Sequence, residues 1–350
     1  MITITKKTAQ HRVPSRAAIV GNPSDGFYGG TIAVPVRNWN ASVTLESDPE
    51  KKGVHLKLNP EHDRHSFRDL EHLAETTGKE GPYGGIRLLR AMLKQFYEHC
   101  QQNGIHLHNE PFTLSYDTEI PRQVGLAGSS AIITACIKCL IEFYGITEKQ
   151  IPKPIQANLV LDAERKELGI SAGLQDRVVQ VYNQPVYMDF SKEAFEASGQ
   201  KHGRYLPISA KMLPNFFLVY STESKISGRV LANLYERHAS GERLVVEGMK
   251  KLACYTKAAM EAINRGDIRE LARLMDTNLD TRREMVGDER FGRANLEMMS
   301  TARQNGACAN FSGSGGAIIG IYKDDQHYSQ LEKAFNTNGY EIVKVKVKGG

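Results

Sequence analysis

The sequence has no apolar run long enough to cross a membrane, and it contains few cysteines. No apolar stretch among the 350 residues reaches the roughly 18 residues that a membrane helix needs. Residues 1–12, MITITKKTAQHR, lack the apolar core of a signal peptide. The five cysteines are odd in number and widely spaced, which argues against a disulfide framework and favours a reducing compartment. We therefore expect a cytoplasmic protein with no membrane partner.

The chain also lacks any block of charge of one sign. Its 45 Lys and Arg residues and 40 Asp and Glu residues leave a formal net charge of +5, and the basic residues are scattered. This distribution does not support a nucleic-acid partner. The length suffices for two domains, and the polar, glycine-containing stretch 197–204 predicts a boundary that gives domains 1–205 and 206–350. A monomer and a homodimer both remain open.

Apolar periodicity predicts the main elements of secondary structure. Several strands are followed by paired helices, a pattern typical of the α+β class rather than of alternating βαβ units. The predicted strands are 16–20, 31–36, 41–45, 54–58, 112–116, 216–220, 317–322 and 342–347. The predicted helices are 69–75, 86–99, 129–144, 155–167, 244–262, 268–286 and 294–304, with another opened by residues 227–229.

Residues 121–144, PRQVGLAGSSAIITACIKCLIEFY, form the most informative stretch of the chain. Gly125 and Gly128 precede two serines and an apolar run of helical length that ends at Gly145. The N–H groups and the positive dipole end of a helix start attract phosphate, and glycine allows a ligand to approach the backbone closely. Taken alone, the stretch is equally compatible with a glycine turn and a serine N-cap before a core helix.

Three further stretches place glycine beside polar or charged residues. The predicted strand 16–20 runs into the turn GNPSD at 21–25, which is typical of a tight hairpin connection. The stretch 169–177 presents Asp176 at the start of a helix, where the dipole favours a carboxylate in any protein. Residues 306–316 form the last glycine-rich loop.

Three of these stretches resemble motifs of the GHMP kinases, the family of galactokinase, homoserine kinase and mevalonate kinase. In the fourth, residues 169–177, Asp176 and the upstream Glu164 match an acidic pair of galactokinases and mevalonate kinase, in which the Asp is catalytic. The second family motif is Pro-x-x-x-Gly-Leu-x-Gly-Ser-Ser-Ala, and its fixed places are filled by Pro121, Gly125, Leu126, Gly128, Ser129, Ser130 and Ala131. The first motif is matched at Pro14, Arg16, Gly21, Asp25, Gly29 and Gly30, but Asn22 and Pro23 replace the Glu and His of galactokinases. The third keeps Gly-x-Gly-Gly at 313–316, with Asn310 for the usual Lys and Ser312 for Thr.

The resemblance implies a two-domain GHMP kinase fold. Its N-terminal domain would be an α/β layer like domain 2 of ribosomal protein S5, its C-terminal domain ferredoxin-like, and its active site between them. The implied cofactors are ATP and Mg²⁺. The implied catalytic residues are Asp176 and Arg16, and the implied metal ligands are Ser130 and Glu164. Nucleotide and phosphate binding is implied for Gly125, Leu126, Ala127, Gly128, Ser129, Ser130, Ala131 and Trp39. Substrate binding is implied for Asp25, Asn22, Tyr83, Gly84, Arg87, Arg177, Gly313, Ser314 and Gly315.

A narrower resemblance links the chain to plant-type glucuronokinases, a branch of the family. It is carried by the stretches GNPSD, YGGIRLL, LSYDTEIPRQVGLAGSSAI, AERKELGISAGLQDRV, MDFSKE and FSGSGGA. It implies that the anomeric hydroxyl of D-glucuronate is phosphorylated to 1-phospho-D-glucuronate, with release of ADP. Because the substrate would carry a carboxylate, we expect an arginine to recognise it, and Arg87 or Arg177 is favoured.

Two alternatives remain open. The same catalytic residues could serve another sugar or sugar acid, such as galacturonate, galactose or a heptose phosphate. The more distant alternative is a nucleotide-sensing regulator without catalysis.

Overall fold

The computed structural model describes residues 7–47, 49–80, 84–221 and 229–348, and the chain packs as two compact units. The first unit comprises Met1–Ser15, Trp39–Ile120 and Gly128–Ala172, and the second comprises Arg16–Asn38, Pro121–Ala127 and Gly173–Gly350. The boundary predicted near residue 205 stays a prediction. No helix in the described ranges is long and apolar enough to span a membrane.

Strands and helices of mixed α and β content build the first unit. Its strands are the first part of β1 (Thr8–Val20), the second part of β2 (Gly30–Ser47), β3 (Val54–Leu56) and β4 (Phe112–Thr118). Strand β4 pairs antiparallel with β2 and parallel with β3. The helices are α1 (Leu70–Glu80), α2 (Ile86–Gln102), α3 (Gly128–Phe143) and α4 (Lys153–Asp162), and α4 continues into a π-helical turn at Ala163–Glu167.

Helix α3 forms the centre of this unit, and the prediction for it is confirmed. It begins at Gly128, close to the expected start, and Gly145 follows it with a φ of +65°, a conformation that suits glycine after a helix end. Its side chains are buried on nearly every face, including Ile133 and Ile137. It packs against α2 and α4, so the loop before it is attached to a rigid element.

Three strand predictions near the N-terminus are wrong in length. The expected strands 31–36 and 41–45 are one strand, β2, and the expected strand 16–20 is the end of the longer β1. The polar residues that interrupt the apolar pattern of β2 stay in extended backbone because they have hydrogen-bond partners. The Arg37 N–H donates to the Lys346 carbonyl at 2.9 Å, and Asn38 Nδ2 donates to the Lys344 carbonyl at 2.9 Å.

The second unit contains the remaining elements. Strand β5 (Val186–Asp189) pairs antiparallel with the first part of β2 and with β6 (Arg204–Pro207). A separate antiparallel sheet has the order β10-β7-β9-β8 and consists of β7 (Phe216–Tyr220), β8 (Asn310–Phe311), β9 (Ala317–Ile321) and β10 (Glu341–Lys344). The helices are α5 (Leu174–Tyr182), α6 (Lys192–Ala197), α7 (Arg229–Ala239), α8 (Arg243–Arg265), α9 (Ile268–Val286), α10 (Asp288–Phe291), α11 (Arg293–Gln304) and α12 (Asp325–Thr337), with 3₁₀ turns at Ser24–Phe27 and Ala210–Met212.

Apolar side chains of this second sheet pack against helices α8, α9, α11 and α12. The core includes Phe217, Leu252, Leu279, Phe311 and Leu331, all fully buried. The helical residues follow three- and four-residue spacing, whereas β7, β8 and β9 are buried along nearly their whole length. The predictions for 216–220 and 268–286 match β7 and α9, whereas the helix start expected at residues 227–228 lies outside the described residues.

Candidate active site

Arg16 joins four segments of the second unit that are far apart in the sequence. It lies in β1 and is 4% exposed. Its Nε donates to Asp176 Oδ1 at 2.5 Å, and its Nη1 donates to the carbonyls of Gly125 at 2.8 Å and Ser312 at 2.9 Å. One guanidinium therefore contacts the predicted catalytic carboxylate and two glycine-rich loops, residues 121–127 and 312–316.

Asp176 lies in the first turn of α5, as expected, between two arginines. Arg177 Nη1 donates to Asp176 Oδ2 at 3.1 Å. Desolvation by burial raises the pKa of Asp176, but the charges of Arg16 and Arg177 and the hydrogen bonds from Arg16 and Gln175 outweigh it and hold the pKa below its ordinary value. Asp176 is therefore ionised at neutral pH.

Asp25 is the second carboxylate of this cluster. It lies in the 3₁₀ turn Ser24–Phe27, and its Oδ2 accepts from the Gln175 backbone N–H at 3.3 Å. A Cβ at position 173 would overlap the Asp25 carboxylate, so Gly173 makes this approach feasible. Desolvation, followed by repulsion from Asp176, raises the pKa of Asp25 to about 6. Two neighbouring carboxylates with pKa values moved in opposite directions are typical of sites that transfer protons.

The loop at 313–316 presents backbone donors. Within the described chain, the N–H groups of Gly313, Ser314 and Gly315 have no hydrogen-bond partner, and Ser314 is partly exposed. The Gly316 N–H, in contrast, donates to Asn295 Oδ1 at 3.0 Å. Successive free N–H groups suit an anion.

The two glycine loops of the second unit touch through their backbones. Gly125 has a φ of +73°, and a Cβ there would overlap the Gly315 carbonyl. A Cβ at Gly313 would lie 2.6 Å from the Gly125 carbonyl. Both positions therefore require glycine for steric reasons. In the loop that contains Gly125, Leu126 is buried, and the Ala127 carbonyl accepts from Gln180 Nε2 at 2.9 Å.

A hydroxyl and a carboxylate meet in the first unit. Ser129 Oγ donates to Glu164 Oε1 at 2.7 Å, and Glu164 is fully buried in the π-helical turn that follows α4. Such turns often occur at functional sites. Ser130, the expected partner of Glu164, is the next residue of α3 and is also fully buried.

The hydroxyl and carboxylate oxygens of Ser129, Ser130 and Glu164 fit Mg²⁺ by their chemical type. Hydroxyl and carboxylate oxygens are the hard ligands that Mg²⁺ prefers, and it usually binds through one or two carboxylates together with substrate phosphates. Among the residues that the structure describes, no group of three or more His, Cys, Asp or Glu side chains could hold a metal ion. A Mg²⁺ ion at Glu164 would therefore depend on phosphate oxygens.

The other predicted residues belong to different surroundings. Trp39, Gly84, Arg87, Gly128 and Ala131 are part of the first unit, and Tyr83 lies outside the described residues. Close to Gly84, the N–H of Gly85 donates to the Tyr116 hydroxyl at 2.9 Å. The side chain of Asn22 is engaged in the second unit, where Nδ2 donates to the Phe311 carbonyl at 3.0 Å.

Two residues of α9 were not predicted for this cluster. Asn278 Oδ1 accepts from the Gly21 N–H at 2.6 Å, and Asn278 Nδ2 donates to Asn310 Oδ1 at 3.1 Å. Arg282 Nη2 donates to the Gly313 carbonyl at 3.1 Å. Asn278 and Arg282 are four residues apart on the apolar face of a helix. Two polar residues on such a face are the sequence feature that indicates a site here.

Comparison with known proteins agrees with these motifs. The family model described as GHMP kinases N terminal domain matches residues 87–184, and the one described as GHMP kinases C terminal matches residues 259–341. The chain belongs to the GHMP kinase family. One similar curated protein is Glucuronokinase 1 of Arabidopsis thaliana, which is 42% identical over 339 residues, 97% of this chain and 92% of that protein.

Solved structures share the fold at low sequence identity. Mevalonate kinase from Methanococcus jannaschii aligns with a TM-score of 0.69 at 15% identity and covers 98% of this chain and 99% of its own. Lactococcus lactis galactokinase complexed with galactose also aligns with a TM-score of 0.69, at 14% identity, and covers 98% and 94%. These two likenesses establish the GHMP kinase fold, as predicted from the sequence.

Proposed function

We propose that this protein is an ATP-dependent sugar-acid kinase that phosphorylates the anomeric hydroxyl of D-glucuronate, giving 1-phospho-D-glucuronate and ADP. The observation that carries the proposal is Asp176, an ionised carboxylate held by Arg16 at 2.5 Å and Arg177 at 3.1 Å beside a loop with free backbone N–H groups. The substrate is supported by the identity with the Arabidopsis glucuronokinase over nearly the whole chain.

Phosphoryl transfer depends mainly on positioning and on neutralisation of charge. We assign the ATP phosphates to the N–H groups of residues 125–130, which include the first turn of α3, because helix starts bind phosphate. The free N–H groups of Gly313, Ser314 and Gly315 face the transferred phosphoryl group in this account. Arg16 adds a fixed positive charge without side-chain reorganisation, because Asp176 and two carbonyls already hold it.

Asp176 orients the attacking hydroxyl and accepts its proton. Because its pKa lies below the ordinary value, Asp176 is a weak base before the reaction and is always in the form that accepts a hydrogen bond. We therefore place proton acceptance late, when the oxygen–phosphorus bond is forming and the hydroxyl has become acidic. Asp25 binds a sugar hydroxyl in this proposal, and Asn22 supports the loop at Gly313.

Ser129, Ser130 and Glu164 are the residues that would hold Mg²⁺. When bound, the ion would neutralise charge on the phosphates. The buried Glu164 carboxylate already accepts the Ser129 hydroxyl, so the arrangement is formed within the first unit before any ligand binds. Trp39, Gly84, Arg87 and Tyr83 remain proposed nucleotide or substrate contacts.

An ADP-release assay with a panel of acceptors tests the proposal. The panel is D-glucuronate, D-galacturonate, D-glucose, D-galactose and mevalonate, each with ATP and Mg²⁺. We expect the highest kcat/KM with glucuronate. A higher value with any neutral acceptor would contradict the substrate, and no turnover with any acceptor would favour a nucleotide-sensing role.

A further inference from the structure

Arg282 is a buried cation without a carboxylate partner. It lies in α9, is 2% exposed, and its guanidinium carbon lies 5.0 Å from the centroid of the Phe311 ring. Its Nη2 donates to the Gly313 carbonyl. Its Nη1 is enclosed and has no hydrogen-bond partner, and no carboxylate oxygen lies within 4 Å of the guanidinium, in the part of the chain that the structure describes.

This arrangement costs stability in the free protein. An enclosed donor without an acceptor keeps its desolvation penalty, and a buried charge without a counterion adds to it. The cation–π contact with Phe311 and the single bond to Gly313 offset only part of that cost. The adjacent Arg283 differs, because it is paired with Asp288 at 2.6 Å near the surface.

The charges around Arg282 do not balance. Arg16, Arg177 and Arg282 supply three positive charges to the cluster, and Asp25 and Asp176 supply two negative charges when both are ionised. Arg16 and Arg177 are both bonded to Asp176, whereas Arg282 interacts with Asp25 only through space. A ligand that brings a negative charge is therefore favoured.

The orientation of the Gly313–Ser314 peptide indicates which ligand this is. A trans peptide points its C=O and its N–H in opposite directions. Arg282 binds the carbonyl side of this peptide, so the free Ser314 N–H, which we assign to the phosphoryl group, points away from it. Asp25, the acid with which Arg282 interacts, belongs to the turn assigned to the sugar.

We propose that Arg282 is a specificity-determining residue that selects a sugar acid over a neutral sugar, because its charge and its unused Nη1 donor favour the carboxylate of the substrate. The inference rests on the proposed function, and it identifies Arg282 as the residue that selects a sugar acid as the substrate. Arg177, an earlier candidate, is less suited, because its Nη1 already donates to the Gly173 carbonyl at 2.9 Å and to Asp176.

The test compares Arg282→Met and Arg282→Lys with Arg283→Gln as a matched control that removes a surface charge from the same helix. Each protein is assayed for kcat/KM with D-glucuronate and with its neutral isostere D-glucuronamide, for KM of ATP, and for Tm. If glucuronamide is not turned over, its Ki as a competitor of glucuronate replaces kcat/KM.

We expect Arg282→Met to lose roughly tenfold to a hundredfold in kcat/KM on glucuronate, the range of a lost charged hydrogen bond. Glucuronamide kinetics and KM of ATP should change less than about threefold. Arg282→Lys, which keeps the charge but not the planar fork, should lose less, and Arg283→Gln should match the wild type. If the Met variant does not fold, the Lys variant is the test, and a loss of kcat/KM on glucuronate but not on glucuronamide supports the inference.

Three results would overturn the inference. They are an equal loss on both acceptors, a loss confined to KM of ATP, and no loss at all. The first would indicate that Arg282 only supports Gly313, and the second that it serves the phosphates. A wild-type enzyme that does not prefer glucuronate to glucuronamide would defeat the proposed function itself, whereas a wild-type preference unchanged in the variants defeats only this inference.

Discussion

Replacement of Asp176 by Asn perturbs the proposed reaction with the least change in shape. Asn keeps an oxygen that can accept from Arg16, but it loses the charge and the ability to accept a proton. General bases contribute about 10²–10⁴-fold to kcat. Because Arg16 and Arg177 lower the pKa of Asp176, its basicity is weak, and we expect a loss at the lower end, roughly 10²-fold.

The same substitution should reduce stability. It removes the carboxylate charge that the guanidinium groups of Arg16 and Arg177 both bind, and only 5% and 4% of these two side chains are exposed. Breaking a buried ion pair typically costs about 3–5 kcal/mol. Since Asp176 retains 18% exposure and Asn still accepts a hydrogen bond, we expect a cost below that range. Asp288→Asn, which breaks a surface pair with Arg283, is the matched control.

The assay is ADP release at saturating ATP and glucuronate, together with KM of ATP and Tm. A low kcat with KM of ATP within about twofold of the wild type would support the role of Asp176. A carboxylate ionised well below pH 5 contributes no limb to kcat between about pH 5 and 8, so a limb in that range is expected from Asp25, whose pKa is about 6, and not from Asp176. An Asn variant with kcat within twofold of the wild type would show that Asp176 does not act as the base.

Three further predictions concern neighbouring groups. The pKa of Asp25 is about 6 in the folded protein and 3.8 ordinarily, so the folded state holds this proton more tightly and loses stability as the pH rises from about 4 to about 6. Asp25→Asn should therefore gain stability over wild type across that window, by at most about 3 kcal/mol, and urea unfolding at pH 4 and pH 7.5 showing no such difference would contradict it. Glu164→Gln and Ser130→Ala should raise the free Mg²⁺ concentration that gives half-maximal activity. Ser129→Ala is the comparison that shows which of the two hydroxyls binds the ion. An unchanged half-saturating Mg²⁺ concentration in all three variants would exclude the metal assignment. Gly173→Ala should displace Asp25 by overpacking, which typically costs about 1–3 kcal/mol, and so raise KM for the sugar while KM for ATP stays constant; equal changes in both would argue against a sugar-side role.

The order of motifs and the central helix could be predicted from sequence because they depend on local chemistry. Glycine, serine and apolar periodicity are sufficient to place the start of α3 within two residues. The full length of β2 could not be predicted, because Arg37 and Asn38 break its apolar pattern. The Arg37 backbone N–H and the Asn38 side-chain amide donate to carbonyls far along the chain. Arg37 Nε also donates to the Val347 carbonyl, 310 residues away, and a partner so distant in the sequence leaves no local pattern around Arg37.

The departures from the family motifs also acquire a physical explanation only in three dimensions. Asn22 and Asn310 each replace a charged residue of the family pattern, and they are 288 positions apart. Asn310 Nδ2 donates to Asn22 Oδ1 at 3.1 Å and to the Ile19 carbonyl at 2.8 Å, so the two buried amides form a neutral hydrogen-bonded pair. The first and third motifs are thus coupled within the second unit.

The position of Arg282 in α9 is unusual enough to be visible in the sequence. It falls four residues after Asn278 on the face of α9 that also carries Leu271, Met275 and Leu279, all buried. A charge in that position contradicts the apolar pattern and points to a site. Its partners could not be predicted, because Gly313 and Phe311 are reached only through the packing of α9 on the sheet.

The position of the new phosphate on the product is the decisive test of the proposed reaction. Wild-type protein is incubated with D-glucuronate, ATP and Mg²⁺, and the product is examined by proton-coupled ³¹P NMR. A phosphate on the anomeric oxygen shows coupling to the anomeric proton, and we predict that this is the single sugar phosphate formed, with one ADP released per phosphate. A phosphate on any other oxygen, or ADP release without a sugar phosphate, would contradict the account.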